Sequence, residues 1–288
     1  MKLNIIEQNV TTILRPTGIN LAPFVINPYQ GCEFGCLFCY AQFNKAALNS
    51  KKKWGSYVKV KVNAVEILEK EIDLIKPKKV LLGSTTECFQ TIEKKYKITE
   101  AILRILNKRK INYIILTRSL LIGDYISLLD RTLCNAIYFT VDTLPLKLRQ
   151  GFQVHIPEPG QSIEMINKLN AQNINTIAYF SPVMPYLFDA RDLICNLDNV
   201  SQAEFEIMNF KMAASRQIIE GIKQLYPEYA NAYERLIRDK GFFEKTINEL
   251  EDEIKQKAAG YLKNVTVHSH GYEDYFNNVY ADGYKGKG

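Results

Sequence analysis

Three cysteines lie close together near the amino terminus of this 288-residue chain, in the spacing C-x3-C-x2-C. They are Cys32, Cys36 and Cys39, with Gly31 and Gly35 beside them. Three thiolates can bind three irons of a [4Fe–4S] cluster and leave the fourth iron open, whereas an electron carrier closes its cluster with four cysteines. Glycines let the backbone approach a bulky inorganic group without Cβ clashes. The segment therefore predicts an open [4Fe–4S] cluster that binds a small molecule.

Two other interpretations of these cysteines stay open. A zinc site ordinarily takes four Cys or His ligands, but the next cysteine along the chain is Cys88, and the one closely spaced histidine pair is His268 and His270. Alternatively, the cysteines are structural residues that share this spacing by chance. We favour the cluster because it accounts for the glycines and for the strand predicted just before the loop.

Composition places the chain among ordinary globular proteins. Apolar residues make up 47% of it and charged residues 24%, which excludes a wholly disordered or collagen-like chain. No run approaches 18 consecutive apolar residues, so no membrane span is expected, and the first 20 residues lack the pattern of a secretory signal. Clustered cysteines suit a reducing compartment. We therefore expect a cytoplasmic protein without a membrane partner.

The net charge of +6 is divided unevenly along the chain. Residues 1–120 carry 20 basic and nine acidic side chains, whereas residues 121–288 carry 17 and 22. A basic half attracts polyanions, and an aromatic ring beside cations, as in residues 51–54 (Lys-Lys-Lys-Trp), can stack on a nucleic acid base. Lysines on solvated helix faces explain the same excess. A nucleic acid partner is therefore one of two interpretations of this charge.

Strand and helix patterns alternate along the first part of the chain. Apolar runs predict strands at 24–26, 56–62, 79–82, 112–116, 136–141 and 174–180, and helical periodicity predicts helices at 64–75, 98–106 and 163–169. Strands that alternate with helices over short connections predict βαβ units and a parallel sheet or barrel.

After Pro185 the pattern changes. Apolar stripes predict helices at 205–222, 229–237 and 243–261, followed by a strand at 264–269 and a tail that we expect to fray. We therefore divide the chain into an α/β core at 1–198 and a helical extension at 199–288.

The sequence around the cysteines resembles the radical S-adenosylmethionine (SAM) enzymes. Their motif is C-x3-C-x-aromatic-C, in which Phe38 is the aromatic residue here, and Tyr40 follows the last cysteine. A wider resemblance to the spore photoproduct lyase-like branch covers roughly residues 22–190. It is carried by the segments 27–29, 60–63, 83–93, 116–124, 140–142 and 181–185.

This resemblance implies a partial (β/α)6 TIM-like barrel with the cluster loop at the carboxyl ends of the strands, where α/β folds place their ligand sites. It also implies a [4Fe–4S] cluster and SAM as cofactors. One electron from an external flavodoxin- or ferredoxin-like donor cleaves SAM to methionine and a 5′-deoxyadenosyl radical, which abstracts hydrogen from a substrate. Carried over to this chain, Thr86 would lie near the SAM amino group, Arg118 near its carboxylate or ribose, and Thr140 beside the nucleoside. Phe38 and Tyr40 belong to the same cofactor site.

Departures from the branch pattern leave the substrate open. Spore photoproduct lyase has its hydrogen-donating cysteine at the position aligned with Ser84, and a serine O–H bond is too strong to replace a thiol. Where that enzyme has a tyrosine before the last cluster cysteine, this chain has Phe38. Cys88, four residues after Ser84, is a speculative relocated radical donor, and an ordinary loop cysteine fits the sequence equally well.

We therefore expect a radical SAM enzyme with an unidentified substrate. A lyase for DNA lesions of the spore photoproduct type is the first alternative. A nucleic-acid-binding protein whose cluster is structural or redox-sensing is the second. His268 and His270 alternate on a predicted strand and share one face. With Glu273 and Asp274 they form either a metal or anion site or an ordinary hydrogen-bonded pair.

Overall fold

The computed structural model describes residues 3–151, 156–189, 191–210 and 213–272. The strands in these ranges are β1 (Asn4–Gln8), β2 (Leu14–Pro16), β3 (Phe24–Ile26), β4 (Tyr29–Gln30), β5 (Tyr57–Lys61), β6 (Lys79–Leu82), β7 (Asn112–Thr117), β8 (Cys134–Val141), β9 (Thr176–Val183), β10 (Gln202–Ile207) and β11 (Asn264–His268). The α-helices are α1 (Lys45–Asn49), α2 (Ala64–Ile75), α3 (Glu93–Tyr96), α4 (Ile98–Lys108), α5 (Leu146–Gly151), α6 (Pro159–Ala171), α7 (Arg191–Ile194), α8 (Ala213–Leu225), α9 (Ala230–Arg238) and α10 (Lys240–Ala258).

The core is an eight-stranded sheet with the strand order β11-β10-β9-β8-β7-β6-β3-β2. The strands from β3 to β11 in this order are parallel, and β2 runs antiparallel to β3. Parallel neighbours need long crossovers, here mostly helical, so their carboxyl ends meet at one edge of the sheet. This arrangement confirms the predicted α/β class with a parallel sheet. Strands β2 and β11 end the described sheet, and β1, β5 and β4 form a separate small sheet.

The two faces of the large sheet differ. The outer face joins the helices in the main hydrophobic core. The inner face has a smaller apolar cluster that includes Leu81 and Ile114, with Tyr138 packed against it. Farther along this face, the ring of Tyr179 on β9 lies 6.2 Å from that of His268 on β11, with β10 between the two strands. Strands two positions apart are separated by roughly 9.5 Å, so these two side chains lean toward each other across β10. The predicted partial barrel stays a prediction.

The helix predicted at 205–222 is wrong in its first part. Gln202–Ile207 is β10, which pairs with β9 and β11, and α8 begins only at Ala213. Ala203, Phe205 and Ile207 are buried with the two-residue period of a strand. A stretch this short fits both the helical and the strand period, and pairing with β9 decides between them.

The sheet therefore continues past residue 198, because β10 and β11 extend it. The division of the chain at that residue stays a prediction, and the predicted fraying tail lies outside the described residues. Among the described helices, none combines the length and apolar character that crossing a membrane requires.

Candidate active site

The cysteine loop, residues 31–39, follows the parallel strand β3 and the short strand β4. It lies at the edge where β6 and β7 also end. Cys32 and Cys36 are buried, Cys39 is half-buried, and all three are free thiols. Burial raises the pKa of Cys32 and Cys39, and repulsion from Cys36 raises both pKa values further. The loop also turns tightly at its end, where the Cys39 backbone N–H donates to the Cys36 carbonyl oxygen at 3.1 Å.

The glycines of the loop allow it to pack against neighbouring backbone. Gly31 has φ +83°, and a Cβ added there would lie 2.5 Å from the carbonyl oxygen of Tyr57. Gly35 has φ +56°, and an added Cβ would lie 2.8 Å from the Cα of Gly55. Glycines at these positions are expected to leave room for a cluster. The structure shows that they also bring the loop into contact with β5 and with the segment before it.

Side chains from the turn after β6 brace the cysteine loop. The Thr86 hydroxyl donates to the carbonyl oxygen of Gly31 at 2.6 Å and accepts from Gln90 Nε2 at 3.3 Å. The Gln90 side-chain oxygen accepts from the Glu33 backbone N–H at 3.1 Å. Thr86 is buried, and its hydroxyl already bonds the loop. Its predicted contact with the SAM amino group stays a prediction.

Glu87 joins the ends of β6 and β7, a role that sequence reasoning missed. Its carboxylate accepts from Thr117 Oγ1 at 2.7 Å, from the Arg118 backbone N–H at 2.9 Å and from the Phe89 backbone N–H at 2.9 Å. Burial raises the pKa of Glu87, and these hydrogen bonds oppose the rise. The only signal in the sequence was the place of Glu87 within segment 83–93.

Arg118, directly after β7, has a free donor beside the cysteine loop. Its guanidinium carbon lies 5.4 Å from the centre of the Phe38 ring. Burial opposes its charge, but Cys36, Asp142 and Cys39 stabilise that charge and raise the pKa of Arg118. The Nη1 atom is buried without a hydrogen-bond partner among the described residues. Buried donors are normally paired, so this one fits an anionic ligand group such as a carboxylate.

A buried ion pair continues the site after β8. Asp142 accepts from Arg149 Nη1, and Arg149 Nη2 donates to the carbonyl oxygens of Ile156 at 3.0 Å and Pro157 at 3.2 Å. Burial raises the pKa of Asp142 to about 6, against the effects of Arg149 and Arg118. Asp142 thus lies between two arginines. No local sequence pattern signalled this pair.

Thr140 and Tyr40 reach the same edge of the sheet. Thr140 is half-buried near the carboxyl end of β8, on the inner face. Tyr40 follows the cysteine loop, and its hydroxyl donates to the backbone oxygen of Ser84. The Ser84 hydroxyl accepts from Asn27 Nδ2 at 3.2 Å. The cofactor contacts of Phe38, Tyr40 and Thr140 stay predictions.

Cys88 lies in the main hydrophobic core with Phe89 and has no exposed surface. Burial raises its pKa well above the ordinary thiol value, so the group keeps its S–H bond, as a hydrogen-atom donor must. Full burial, however, separates it from a substrate on the inner face. Its donor role stays a prediction.

A second polar group lies on the inner face of β9–β11. The buried Glu204 has its carboxylate 2.7 Å from His268 Nε2, and this contact raises the pKa of His268. Glu206 accepts from Ser181 Oγ at 2.8 Å and lies 3.9 Å from His270 Nε2. His268 is the last residue of β11 and His270 lies just beyond the strand, so the predicted shared strand face is not formed; each histidine nevertheless lies beside a glutamate of β10.

The residues present fit a [4Fe–4S] cluster. Within the described part of the chain, no three Cys, His, Asp or Glu side chains converge on one point as a single metal ion requires; Glu273 and Asp274 lie outside that part. In a cluster each cysteine binds a separate iron, so the thiols need not converge on one atom. Three free thiols in one loop, with the unpaired Arg118 N–H beside them, match a cluster with an open iron and an anionic ligand.

Comparisons with known proteins bear on the family of the chain. The model of the Radical SAM superfamily matches residues 26–194. The uncharacterized protein MJ0683 of Methanocaldococcus jannaschii is 32% identical over 272 residues, which cover 93% of this chain and 99% of that protein. The uncharacterized protein Rv2578c of Mycobacterium tuberculosis is 23% identical over 174 residues, which cover 58% of this chain and 51% of that protein.

Solved structures of spore photoproduct lyase share the fold. One mutant superposes with a TM-score of 0.63 at 16% identity, covering 92% of this chain and 82% of that one. Another mutant, with bound AdoMet and dinucleoside spore photoproduct, gives a TM-score of 0.59 at 16% identity, covering 91% and 81%. The match over residues 26–194, the cysteine loop and this fold lead to one conclusion. The chain belongs to the radical SAM superfamily, with the fold of its spore photoproduct lyase-like branch, and is an enzyme of the kind that uses a [4Fe–4S] cluster and SAM.

Proposed function

We propose that Cys32, Cys36 and Cys39 hold the cluster, that Arg118 holds SAM, and that the substrate binds at the inner face of the sheet. When bound and reduced by one electron, the cluster and SAM supply a 5′-deoxyadenosyl radical that abstracts hydrogen from that substrate. The observation that carries the proposal is the buried, unpartnered Nη1 of Arg118 beside the cysteine loop.

The protein's own residues orient SAM. Arg118 offers its guanidinium to the SAM carboxylate, and Glu87 fixes the Arg118 backbone through the N–H at 2.9 Å. The Phe38 ring covers the guanidinium, which limits its motion and keeps water away from its charge. Thr140 presents a hydroxyl on the inner face for the nucleoside. Pre-positioned donors of this kind need little reorganisation when the reaction occurs.

The inner face of β9–β11 is the proposed substrate wall. Burial, Cys39 and, to a smaller extent, Glu206 raise the pKa of Tyr40, which follows the last cluster cysteine. This supports a substrate position between the wall and the cysteine loop. Glu204 and Glu206 place two carboxylates on this wall, each beside a histidine. The wall therefore suits substrate groups that form hydrogen bonds.

A dinucleoside lesion is the second candidate substrate, because spore photoproduct lyase shares the fold. One feature counts against it: Ser84 stands at the position of the hydrogen-donating cysteine, and a serine O–H bond is too strong to replace a thiol. A purely structural or redox-sensing cluster would leave the free Arg118 donor unexplained.

The proposal includes a cytoplasmic location and an external electron donor. None of the six cysteines forms a disulfide in the structure, which fits a reducing compartment. The oxidised cluster needs single electrons from outside the protein, because the described residues hold no second set of clustered cysteines.

Product analysis tests the proposal. Anaerobically reconstituted protein, reduced with dithionite and given SAM, is expected to form 5′-deoxyadenosine and methionine, measured by liquid chromatography and mass spectrometry. Cys36→Ala should abolish both products, whereas Cys195→Ala, at an exposed thiol outside the site, should retain them. Iron-loaded wild-type protein that forms no 5′-deoxyadenosine would overturn the proposal.

A further inference from the structure

A strongly basic segment follows directly on the cluster loop. Residues 34–63 contain six lysines and no aspartate or glutamate. Four of these lysines are exposed and form no ion pair within the described residues: Lys45, Lys51, Lys52 and Lys53. We call them the lysine patch. Some other exposed lysines, such as Lys70, do have an acidic partner on their own helix.

The lysine patch lies against the cluster loop. Its last member, Lys53, lies two residues before Gly55. Gly55 packs against Gly35, which lies between the first two cluster cysteines: a Cβ added at Gly35 would be only 2.8 Å from the Gly55 Cα. Lys45 begins α1, shortly after the last cluster cysteine. A partner seated on the patch would therefore sit close to the cluster, and electron transfer falls steeply with distance.

The patch also has an apolar centre. Leu48 lies one helical turn after Lys45 and is 60% exposed. The Lys51 backbone N–H donates to the Leu48 carbonyl oxygen at 3.2 Å, so Leu48 lies between Lys45 and Lys51 in one compact turn of the chain. An apolar centre with a charged rim is typical of protein interfaces. A rim of one sign steers an oppositely charged partner into place.

Trp54 argues against nucleic acid as the occupant. Stacking on a base requires an exposed ring, but Trp54 is half-buried, and its indole N–H is buried without a partner. The segment therefore lacks the stacking platform that its sequence had suggested, and a charged protein surface fits it better.

We propose that the lysine patch, with Leu48 at its centre, is the docking surface for an acidic one-electron carrier protein of the ferredoxin type. The inference rests on the proposed function, which requires single electrons from outside. In the step, the reduced carrier loses one electron and the oxidised cluster of this chain gains it; no bond forms or breaks.

The test replaces Lys51, Lys52 and Lys53 together by glutamate. The matched control replaces Lys76, Lys78 and Lys79, which lie before and at the start of β6 and therefore at the opposite edge of the sheet. Titration of oxidised ferredoxin into each cluster-loaded protein measures binding at several salt concentrations. The patch variant should bind at least tenfold more weakly and lose most of the salt dependence, and the control should stay within twofold of wild type.

A second readout separates docking from catalysis. With ferredoxin reduced by NADPH through its reductase, 5′-deoxyadenosine formation should fall about tenfold in the patch variant; with dithionite, a small reductant, it should not change. Equal ferredoxin binding by patch variant and control would overturn the inference, as would an equal loss with both reductants. If the patch variant lost binding to a single-stranded oligonucleotide but still bound ferredoxin as the control does, the patch would be assigned to nucleic acid instead. If wild type forms no product with dithionite, the proposed function fails, and the binding titration still decides on docking.

Discussion

Replacement of Arg118 by alanine should weaken SAM binding without loss of the cluster. Nη1 has no partner among the described residues, so SAM need not displace an existing hydrogen bond from it. Hydrogen bonds to charged groups contribute about 1.5–3 kcal/mol, and 1.4 kcal/mol corresponds to a tenfold change in affinity. The Kd for SAM should therefore rise about 10- to 150-fold.

Two further variants define what the guanidinium provides. Arg118→Lys keeps the charge but not the planar fork, so its Kd should lie between those of wild type and Arg118→Ala. Arg104→Ala is the control, because Arg104 is exposed on α4 and pairs with Glu100 at 2.9 Å. Such surface pairs contribute little, and this variant should bind SAM as wild type does.

Isothermal titration of SAM into anaerobically reconstituted protein measures these affinities, with iron content determined on the same samples. Arg118 is not one of the proposed iron ligands, which are Cys32, Cys36 and Cys39, so the iron content of the alanine variant should stay at the wild-type level. If Arg118→Ala carried full iron and bound SAM within threefold of wild type, the assignment of Arg118 to SAM would be refuted.

Three more predictions concern the cluster loop and the inner face. Gly35→Ala should lower the iron retained per chain, because Gly35 has φ +56° and an added Cβ would lie 2.8 Å from the Gly55 Cα. Gly160→Ala is the control and should retain full iron, because an added Cβ there has no atom within 4 Å. Equal iron in the two variants would contradict this prediction. Thr86→Val should lower the free energy of unfolding by about 1–3 kcal/mol because the Gly31 carbonyl loses its donor; an unchanged denaturation midpoint would argue against the brace. The pKa of His268 is raised from 6.5 by Glu204, so its protonated form stabilises the fold fully below pH 6.5, and this is lost as pH rises through the raised pKa. Thermal unfolding from pH 5.5 to 9 should show an advantage of wild type over His268→Asn that shrinks with pH, and a constant difference would contradict the contact.

Local patterns predicted much of the fold. The strands at β6 and β7 are short apolar runs between polar turns, and each was found where the pattern placed it. The first part of the helix predicted at 205–222 was wrong, since the spacing of Phe205 and Met208 also fits a helix. Hydrogen bonds between β10 and β9 determine that segment, and no local pattern reports pairing with a distant strand.

The candidate site divides in the same way. The cluster cysteines were recognisable because their spacing is local and specific. The ion pair of Asp142 with Arg149 and the contact of Glu204 with His268 were not, because the fold alone brings these side chains together. Thr86 illustrates a middle case: its segment was recognised, but its bond to the Gly31 carbonyl depends on a loop conformation that the sequence does not specify.

The most direct test of the central claim is the EPR spectrum of the dithionite-reduced, anaerobically reconstituted protein, recorded before and after addition of SAM. An open iron ligated by SAM beside Cys32, Cys36 and Cys39 predicts a [4Fe–4S]⁺ signal whose g-values shift when SAM is added. A signal that stays the same with saturating SAM would contradict the account.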